Sequence, residues 1–195
     1  MRTAVAFFVA FCVSASAGAP PAQHVQRARP QASRTQAKPI DTLFAQLKLA
    51  QTPEDAKPIE DQIGLFFMQS GSPSVDLLMT RGAAALVGGD KDTARKLFDA
   101  VTDIAPNFAE GWHSRAALQL ALSDNAGAMV SLQRAIALNP REFKAMSELG
   151  DMLEDYGDKT GALKLFRRAL ELDPKLDGAA EHVKALETDV EGQRI

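Results

Sequence analysis

The sequence predicts an all-α protein built as a solenoid of helix–turn–helix units. Three observations carry this prediction: the 195-residue chain matches itself at an offset of 34 residues, apolar residues within each unit recur at helical spacing, and a proline closes each unit. The units span residues 75–108, 109–142 and 143–176. Five sets of positions repeat at the offset: Pro106, Pro140 and Pro174; Ala94, Ala128 and Ala162; Phe98, Leu132 and Phe166; Leu78, Trp112 and Met146; Asp90, Asp124 and Asp158.

Each unit is predicted to form two helices joined by a turn. In the first, Leu78, Ala85 and Leu86 share one helix face, and Gly89 and Asp90 then interrupt the helical pattern. The repeated aspartates Asp90, Asp124 and Asp158 each stand where a second helix begins, so we expect their carboxylates to accept hydrogen bonds from free N–H groups. The small residues Gly82, Ala116 and Gly150 are expected to let paired helices approach closely.

These residues resemble the tetratricopeptide repeat family, whose 34-residue pattern combines large, small and proline positions. The resemblance covers residues 75–176 and is strongest in residues 143–176, through Gly150, Ala162, Phe166 and Pro174. It implies a right-handed α-solenoid and a role in protein binding, and it suggests a small exported bacterial member of the family.

Helical patterns flank the repeats on both sides. Residues 177–195 are predicted to form a C-terminal capping helix and tail, with Ala179, Val183 and Leu186 on one face. Residues 41–74 are predicted to form a degenerate helical hairpin that caps the N-terminal end. Within it, Thr52 and Pro53 indicate a helix start, and Pro58 suggests a kink or a later start. A docking surface at Phe66, Phe67 and Met68 is the alternative.

Residues 1–17 have the features of a secretory signal peptide. Arg2 precedes ten apolar residues, and Ala15–Ser16–Ala17 forms a cleavage site, which predicts a periplasmic or secreted protein after cleavage near Ala17. The alternatives are a retained anchor, for which the apolar run is short, and an organelle transit peptide. Cys12 is the one cysteine, so a cleaved chain would contain no thiol or disulfide.

Charge divides the chain into unlike parts. Residues 18–40, rich in Pro, Ala and Gln, are interpreted as a disordered basic linker that either is a solvated spacer or adheres to anionic surfaces. Residues 1–40 hold five basic and no acidic groups, which leaves 17 basic and 25 acidic groups, a net charge of −8, in the rest. This charge favours basic partners over nucleic acid.

The resemblance places a concave groove on the first helices of the units. The groove is predicted to be apolar at one end and acidic at the other, which suits a peptide with hydrophobic or basic segments. A solvated acidic face is the alternative. The predicted groove residues are Met79, Ala83, Leu86, Glu110, His113, Ala117, Leu120, Lys144, Ser147, Asp151, Glu154 and Asp155.

Taken together, these features predict a non-enzymatic interaction scaffold without cofactor or metal. The sequence has no phosphate-binding glycine loop, and His113 lacks a nucleophile or second histidine at motif spacing. Arg81 and Arg115 replace a usual leucine and are expected to pair with carboxylates such as Asp99, with a two-arginine anion site as the alternative. The alternative function is a membrane-tethered, self-associating structural envelope protein.

Overall fold

The computed structural model describes residues 32–192, and all regular secondary structure in this part of the chain is helical. This agrees with the predicted all-α fold. None of the described helices is long and apolar enough to cross a membrane. The predicted signal peptide, 1–17, and most of the predicted linker lie outside the described residues. The helices are α1 (Ala32–Leu47), α2 (Pro53–Phe67), α3 (Pro73–Val87), α4 (Lys91–Ile104), α5 (Ala109–Ala121), α6 (Asn125–Leu138), α7 (Phe143–Asp155), α8 (Lys159–Leu172) and α9 (Ala179–Glu191).

Three helix pairs, α3–α4, α5–α6 and α7–α8, fall within the predicted 34-residue units and pack closely within each pair. The second helix of each pair begins at the expected aspartate. The carboxylates of Asp90, Asp124 and Asp158 accept hydrogen bonds from the backbone N–H three residues on, at 3.0, 3.0 and 2.9 Å. Each cap satisfies a donor that the first helical turn leaves without a partner.

Glycine brings the paired helices together in the first and third units. A Cβ atom added at Gly82 would lie 2.6 Å from Phe98 Cε1, and one at Gly150 would lie 3.0 Å from Phe166 Cε1. Both phenylalanines are buried. The repeated pairing of a small with a large residue is therefore a packing requirement, because the ring of one helix lies against the backbone of the other.

Helix α9 covers the exposed side of the last repeat. Ala179 and Leu186 are buried in one cluster with Leu163 and Phe166 of α8. His182 stacks on the Phe166 ring, with centroids 4.7 Å apart.

The N-terminal hairpin differs from the sequence-based expectation in extent. Helix α1 begins at Ala32, so residues 32–40 are helical where a linker was expected; Ala, Gln and Arg in this stretch favour helix. Helix α2 begins at Pro53, after Thr52, whose hydroxyl accepts from Asp55 N–H at 3.2 Å. It continues through Pro58.

The hairpin also differs in position, because it lies against the second and third repeats. Phe44 of α1 makes an edge-to-face contact with Phe143, with centroids 6.2 Å apart. Arg141 joins them: its guanidinium lies 3.8 Å from the centroid of the Phe44 ring and its Nη1 is 2.6 Å from Asp41 Oδ1. The hairpin therefore does not cap the N-terminal end of the repeats as expected: Phe44 packs instead on Phe143, at the start of the third repeat.

Helix α2 runs against the order of the repeats. At its middle, Glu60 Oε2 lies 3.5 Å from Lys144 Nζ at the start of α7. At its end, Phe66 and Phe67 line a cavity together with Phe108 and Glu110 of the segment that starts α5. The hairpin thus crosses the loops that join one repeat to the next.

Candidate docking surface on the first helices

The twelve predicted groove residues lie on α3, α5 and α7, but the structure does not make them one open surface. Met79 is 1% exposed and packs in a cluster with Phe98 and Leu118. Its assignment to the groove is corrected, since the side chain fills the core between α3, α4 and α5. The other eleven residues form two sets that differ in their contacts.

The first set lies near the starts of α5 and α7 and consists of Glu110, His113, Lys144 and Ser147, all half-buried. His113 is engaged at both ring nitrogens: Nδ1 is 3.4 Å from Glu110 Oε2, and Nε2 is 3.1 Å from Glu148 Oε1. Burial by itself lowers the pKa of His113, but the hydrogen bonds and charges of the two glutamates outweigh it and raise the pKa well above its usual 6.5. The imidazole is therefore protonated and bridges the carboxylates of Glu110 and Glu148.

Glu142, between α6 and α7, completes this network. It is 3% exposed, and its Oε2 accepts a hydrogen bond from Asn139 Nδ2 at 3.2 Å. Burial, followed by the negative charge of Glu110, raises the pKa of Glu142 to about 7. The sequence analysis missed Glu142 because it follows the helical segments that the repeat pattern identifies, and no spacing relates it to His113.

These side chains also offer a set of metal donors. One ligand atom each from Glu110, His113 and Glu142 lies within 4.8 Å of the others, and carboxylate with imidazole suits a divalent transition metal. The ion pairs of His113 already account for this arrangement, and no further feature of the described residues points to a metal. We therefore assign these residues to a structural ion-paired network.

The second set lies along the later turns of the first helices and is accessible. On α3 and α5 it is apolar: Ala83 and Leu86 are half-exposed beside Val87, which is 91% exposed, and Ala117 and Leu120 continue the row. On α7 it is acidic: Asp151 and Asp155 are exposed, and Glu154 is half-buried.

His182 of α9 lies beside the acidic residues. Glu154 Oε2 is 2.7 Å from His182 Nδ1, and Asp151 Oδ1 is 3.6 Å from His182 Nε2. Burial raises the pKa of Asp151; His182 opposes this rise, while Glu154 and Asp155 add to it. Asp151 therefore lies in a negative environment that one histidine offsets in part.

Arg115 pairs with the carboxylate that the sequence analysis named. Its Nε lies 3.1 Å from Asp99 Oδ1, and its guanidinium is 5.5 Å from the centroid of the Trp112 ring. Arg81 is exposed on α3. The pairing of Arg115 favours a structural role for this residue over an anion site.

The fold and this surface define a class: a helical-repeat protein whose first helices present a mixed apolar and acidic face. Residues 113–177 match the family model described as tetratricopeptide repeat. A TPR repeat-containing protein of Rhizobium etli is 29% identical over 163 residues, which cover 84% of this chain and 80% of that protein. These matches support the tetratricopeptide repeat family.

Solved structures agree on the fold. The first TPR domain of Spaghetti (RPAP3), bound to the HSP90 peptide SRMEEVD, is 24% identical with a TM-score of 0.55, over 60% of this chain and 93% of that chain. The Yersinia enterocolitica type III secretion chaperone SycD, in complex with a peptide of the translocator YopD, is 15% identical with a TM-score of 0.55, over 60% of this chain and 95% of that chain. At sequence identities this low, the likeness shows the fold alone, a solenoid of paired helices.

Proposed function

We propose that this protein is a non-enzymatic scaffold that binds a peptide or protein segment along the open turns of α3, α5 and α7. The observation that carries the proposal is the change in character along one accessible row, from Val87, 91% exposed, to the exposed carboxylates Asp151 and Asp155. A segment with hydrophobic residues followed by basic ones complements this row.

Two of the structures compared above support this role, since each holds a peptide on a similar fold. The peptide chemistry differs here. A peptide that ends in acidic groups requires basic side chains, whereas the accessible end of this surface carries Asp151 and Asp155. The preferred partner is therefore basic at that end.

Catalysis is not part of the proposal. His113, one of the predicted groove residues, has both ring nitrogens engaged by carboxylates, so it offers no free base to a substrate. Its chemistry is that of an ion pair that fixes α5 against α7.

The binding proposal is tested with a fluorescein-labelled peptide of leucines followed by arginines. Replacing both Asp151→Asn and Asp155→Asn removes two surface attractions of roughly 0.5 kcal/mol each, so we expect about fivefold weaker binding. The matched control, Asp103→Asn with Glu171→Gln, removes two exposed carboxylates from second helices. Equal weakening by the control pair, or no weakening by the first pair, contradicts the proposal.

We further propose export to the cell envelope, with the signal at residues 1–17 cleaved near Ala17. The apolar run after Arg2 and the Ala15–Ser16–Ala17 site support it. N-terminal sequencing of the protein from fractionated cells is the test. A soluble envelope protein that begins near Gly18 is expected. An intact N-terminus in the membrane fraction would instead favour the tethered, self-associating envelope protein.

A further inference from the structure

The α1–α2 hairpin contacts the repeats as a bound peptide would. Helix α2 is amphipathic: one face carries an apolar row that packs in one core cluster with residues of the second and third repeats, and Glu60 lies in the middle of that face. Apolar residues at helical spacing with one charged anchor are the pattern by which helices bind grooves. The row consists of Ala56, Ile59, Ile63, Phe66 and Phe67.

The surface beneath the hairpin, the hairpin seat, is formed by the inter-repeat loops and the starts of α5 and α7. Its basic groups are Arg141, which binds Asp41, and Lys144, which binds Glu60. Its aromatic group is Phe143, against Phe44. The seat groups that contact Asp41, Glu60 and Phe44 of the hairpin are therefore basic and aromatic, in contrast to the apolar and acidic row proposed above for the partner.

The hairpin leaves an open pocket at the edge of its seat. This pocket, of about 570 Å³, lies between Phe66 and Phe67 on one side and Phe108, Leu138 and Asn139 on the other. Within the described residues, the backbones of α1 and α2 approach each other more closely than they approach the repeats. Side-chain contacts, with an open pocket at their edge, hold the hairpin in place.

The first repeat does not depend on the hairpin for its start. Ser70, in the connection between α2 and α3, donates from its backbone N–H and from its hydroxyl to Asp76 Oδ1, at 2.8 and 2.5 Å. These bonds fix the connection to α3. Release of the hairpin therefore requires movement only in the residues that precede Ser70.

The seat also contains a buried acidic group beside Glu60 of the hairpin. Asp173 is fully buried, and its Oδ2 accepts no hydrogen bond from the described residues. Burial, the charge of Glu60 and a hydrogen bond with Glu60 raise the pKa of Asp173 to about 6, although Lys144 and the Lys175 N–H oppose the rise. Glu60 and Asp173 thus lie together beside Lys144, and Lys57 of α2 also pairs with Glu60, at 3.6 Å.

From these observations we infer that the hairpin is a detachable internal ligand. Its seat is a second docking surface, which accepts an amphipathic helical segment of a partner that carries phenylalanine or isoleucine on one face and a carboxylate that binds Lys144. Such a segment competes with the hairpin for the same residues.

The test uses the full chain and a labelled peptide of residues 39–70 as the probe. In a Cys12→Ser background, Asp41→Cys and Arg141→Cys are joined by a short bismaleimide, which holds the hairpin down. We expect at least tenfold weaker binding of the probe than before linking. The matched control joins Lys159→Cys to Asp189→Cys, another exposed ion pair, between α8 and α9, and leaves binding unchanged.

Two variants test the contacts themselves. Ile63→Ala in the protein loosens the hairpin and should tighten probe binding at least threefold, whereas Leu186→Ala, an equally buried apolar residue on α9, should not. In the Ile63→Ala background, where the hairpin competes less, Lys144→Glu should weaken binding at least fivefold, and a probe with Glu60→Lys should restore it.

Three results would overturn the inference: equal binding to the linked and unlinked protein, no binding to an Ile63→Ala protein whose circular dichroism is native, or no effect of Lys144→Glu in the Ile63→Ala background. The leucine–arginine peptide should bind equally before and after linking. If the leucine–arginine peptide does not bind, binding along the accessible row of α3, α5 and α7 is contradicted. If the probe does not bind, binding at the hairpin seat is contradicted.

Discussion

Lys144 Nζ lies 3.5 Å from Glu60 Oε2, and this ion pair joins the start of the third repeat to a helix that precedes all three repeats in the sequence. Glu60 is also close to Lys57, at 3.6 Å, within its own helix. Because Glu60 is buried and its partners are partly exposed, the pair fixes where α2 lies along the repeats more than it stabilises the fold.

The contacts of Arg141 give a prediction about local stability. Arg141→Ala removes the ion pair with Asp41 and the contact with the Phe44 ring, so we expect a loss of about 1 kcal/mol in the stability of the docked hairpin. Hydrogen exchange should accelerate in α1 and α2 and stay unchanged in α8. Uniform acceleration along the chain would contradict a locally attached hairpin.

Two glycines give predictions of opposite sign for the change in the free energy of unfolding. Gly82→Ala places a Cβ 2.6 Å from Phe98 Cε1 and should destabilise the protein by about 1–3 kcal/mol. Gly64→Ala, in α2, meets nothing within 4 Å and should stabilise its helix by about 0.5–1 kcal/mol. Urea denaturation measures both. A stabilising Gly82→Ala would show that α3 and α4 are not in close contact there.

The aspartate caps give a third prediction. Asp158→Ala removes the hydrogen bond from Gly161 N–H and should cost about 1 kcal/mol, whereas Asp158→Asn, which keeps an acceptor oxygen, should cost much less. Thermal unfolding of the two variants checks this. Equal losses would mean that the charge, and not the hydrogen bond, supports α8.

Glu142 gives a prediction about pH. Because its pKa is about 7 in the folded protein against 4.5 for the free group, the folded state binds a proton that the unfolded state has lost between these values. Its contribution to stability should therefore be greatest below pH 4.5, fall as the pH rises to 7, and be lost above it. Urea denaturation at pH 5.5 and pH 8 measures the change.

The control for this prediction is Glu142→Gln, which keeps an acceptor for Asn139 without a titrating group. The variant should be more stable than the natural chain at pH 8 and lose less stability between the two pH values. The ion pairs of His113 also stabilise the folded state at low pH and weaken as the pH rises through its raised pKa. A fall in stability that remains in the Glu142→Gln variant is therefore assigned to His113. An unchanged pH profile would contradict the raised pKa.

The repeats could be predicted from the sequence in detail because their stability comes from contacts between neighbouring residues of one pattern. The 34-residue offset located the aspartate caps and the Gly82 and Gly150 contacts. It also led to an error at Met79, because it assigns a helix face by analogy and cannot show that α4 and α5 enclose this side chain.

The hairpin could not be placed from the sequence for a related reason. The apolar row with Ile63 and Phe66 indicates that α2 is buried on one face, but any apolar surface satisfies that pattern. The choice of seat depends on Phe143, Arg141 and Lys144, which match the hairpin only in three dimensions. Glu142 was missed similarly, since its pKa depends on side chains from two other segments.

The contact between Asp41 and Arg141 spans 100 positions, which has a consequence for the order of folding. During synthesis α1 and α2 leave the ribosome first, yet their partners on α7 follow only about a hundred residues later. A helical repeat otherwise forms from short-range contacts and folds from any point along its length. The hairpin is the exception, so its apolar face stays uncovered until the third repeat has been made, and its docking should be the last step of folding.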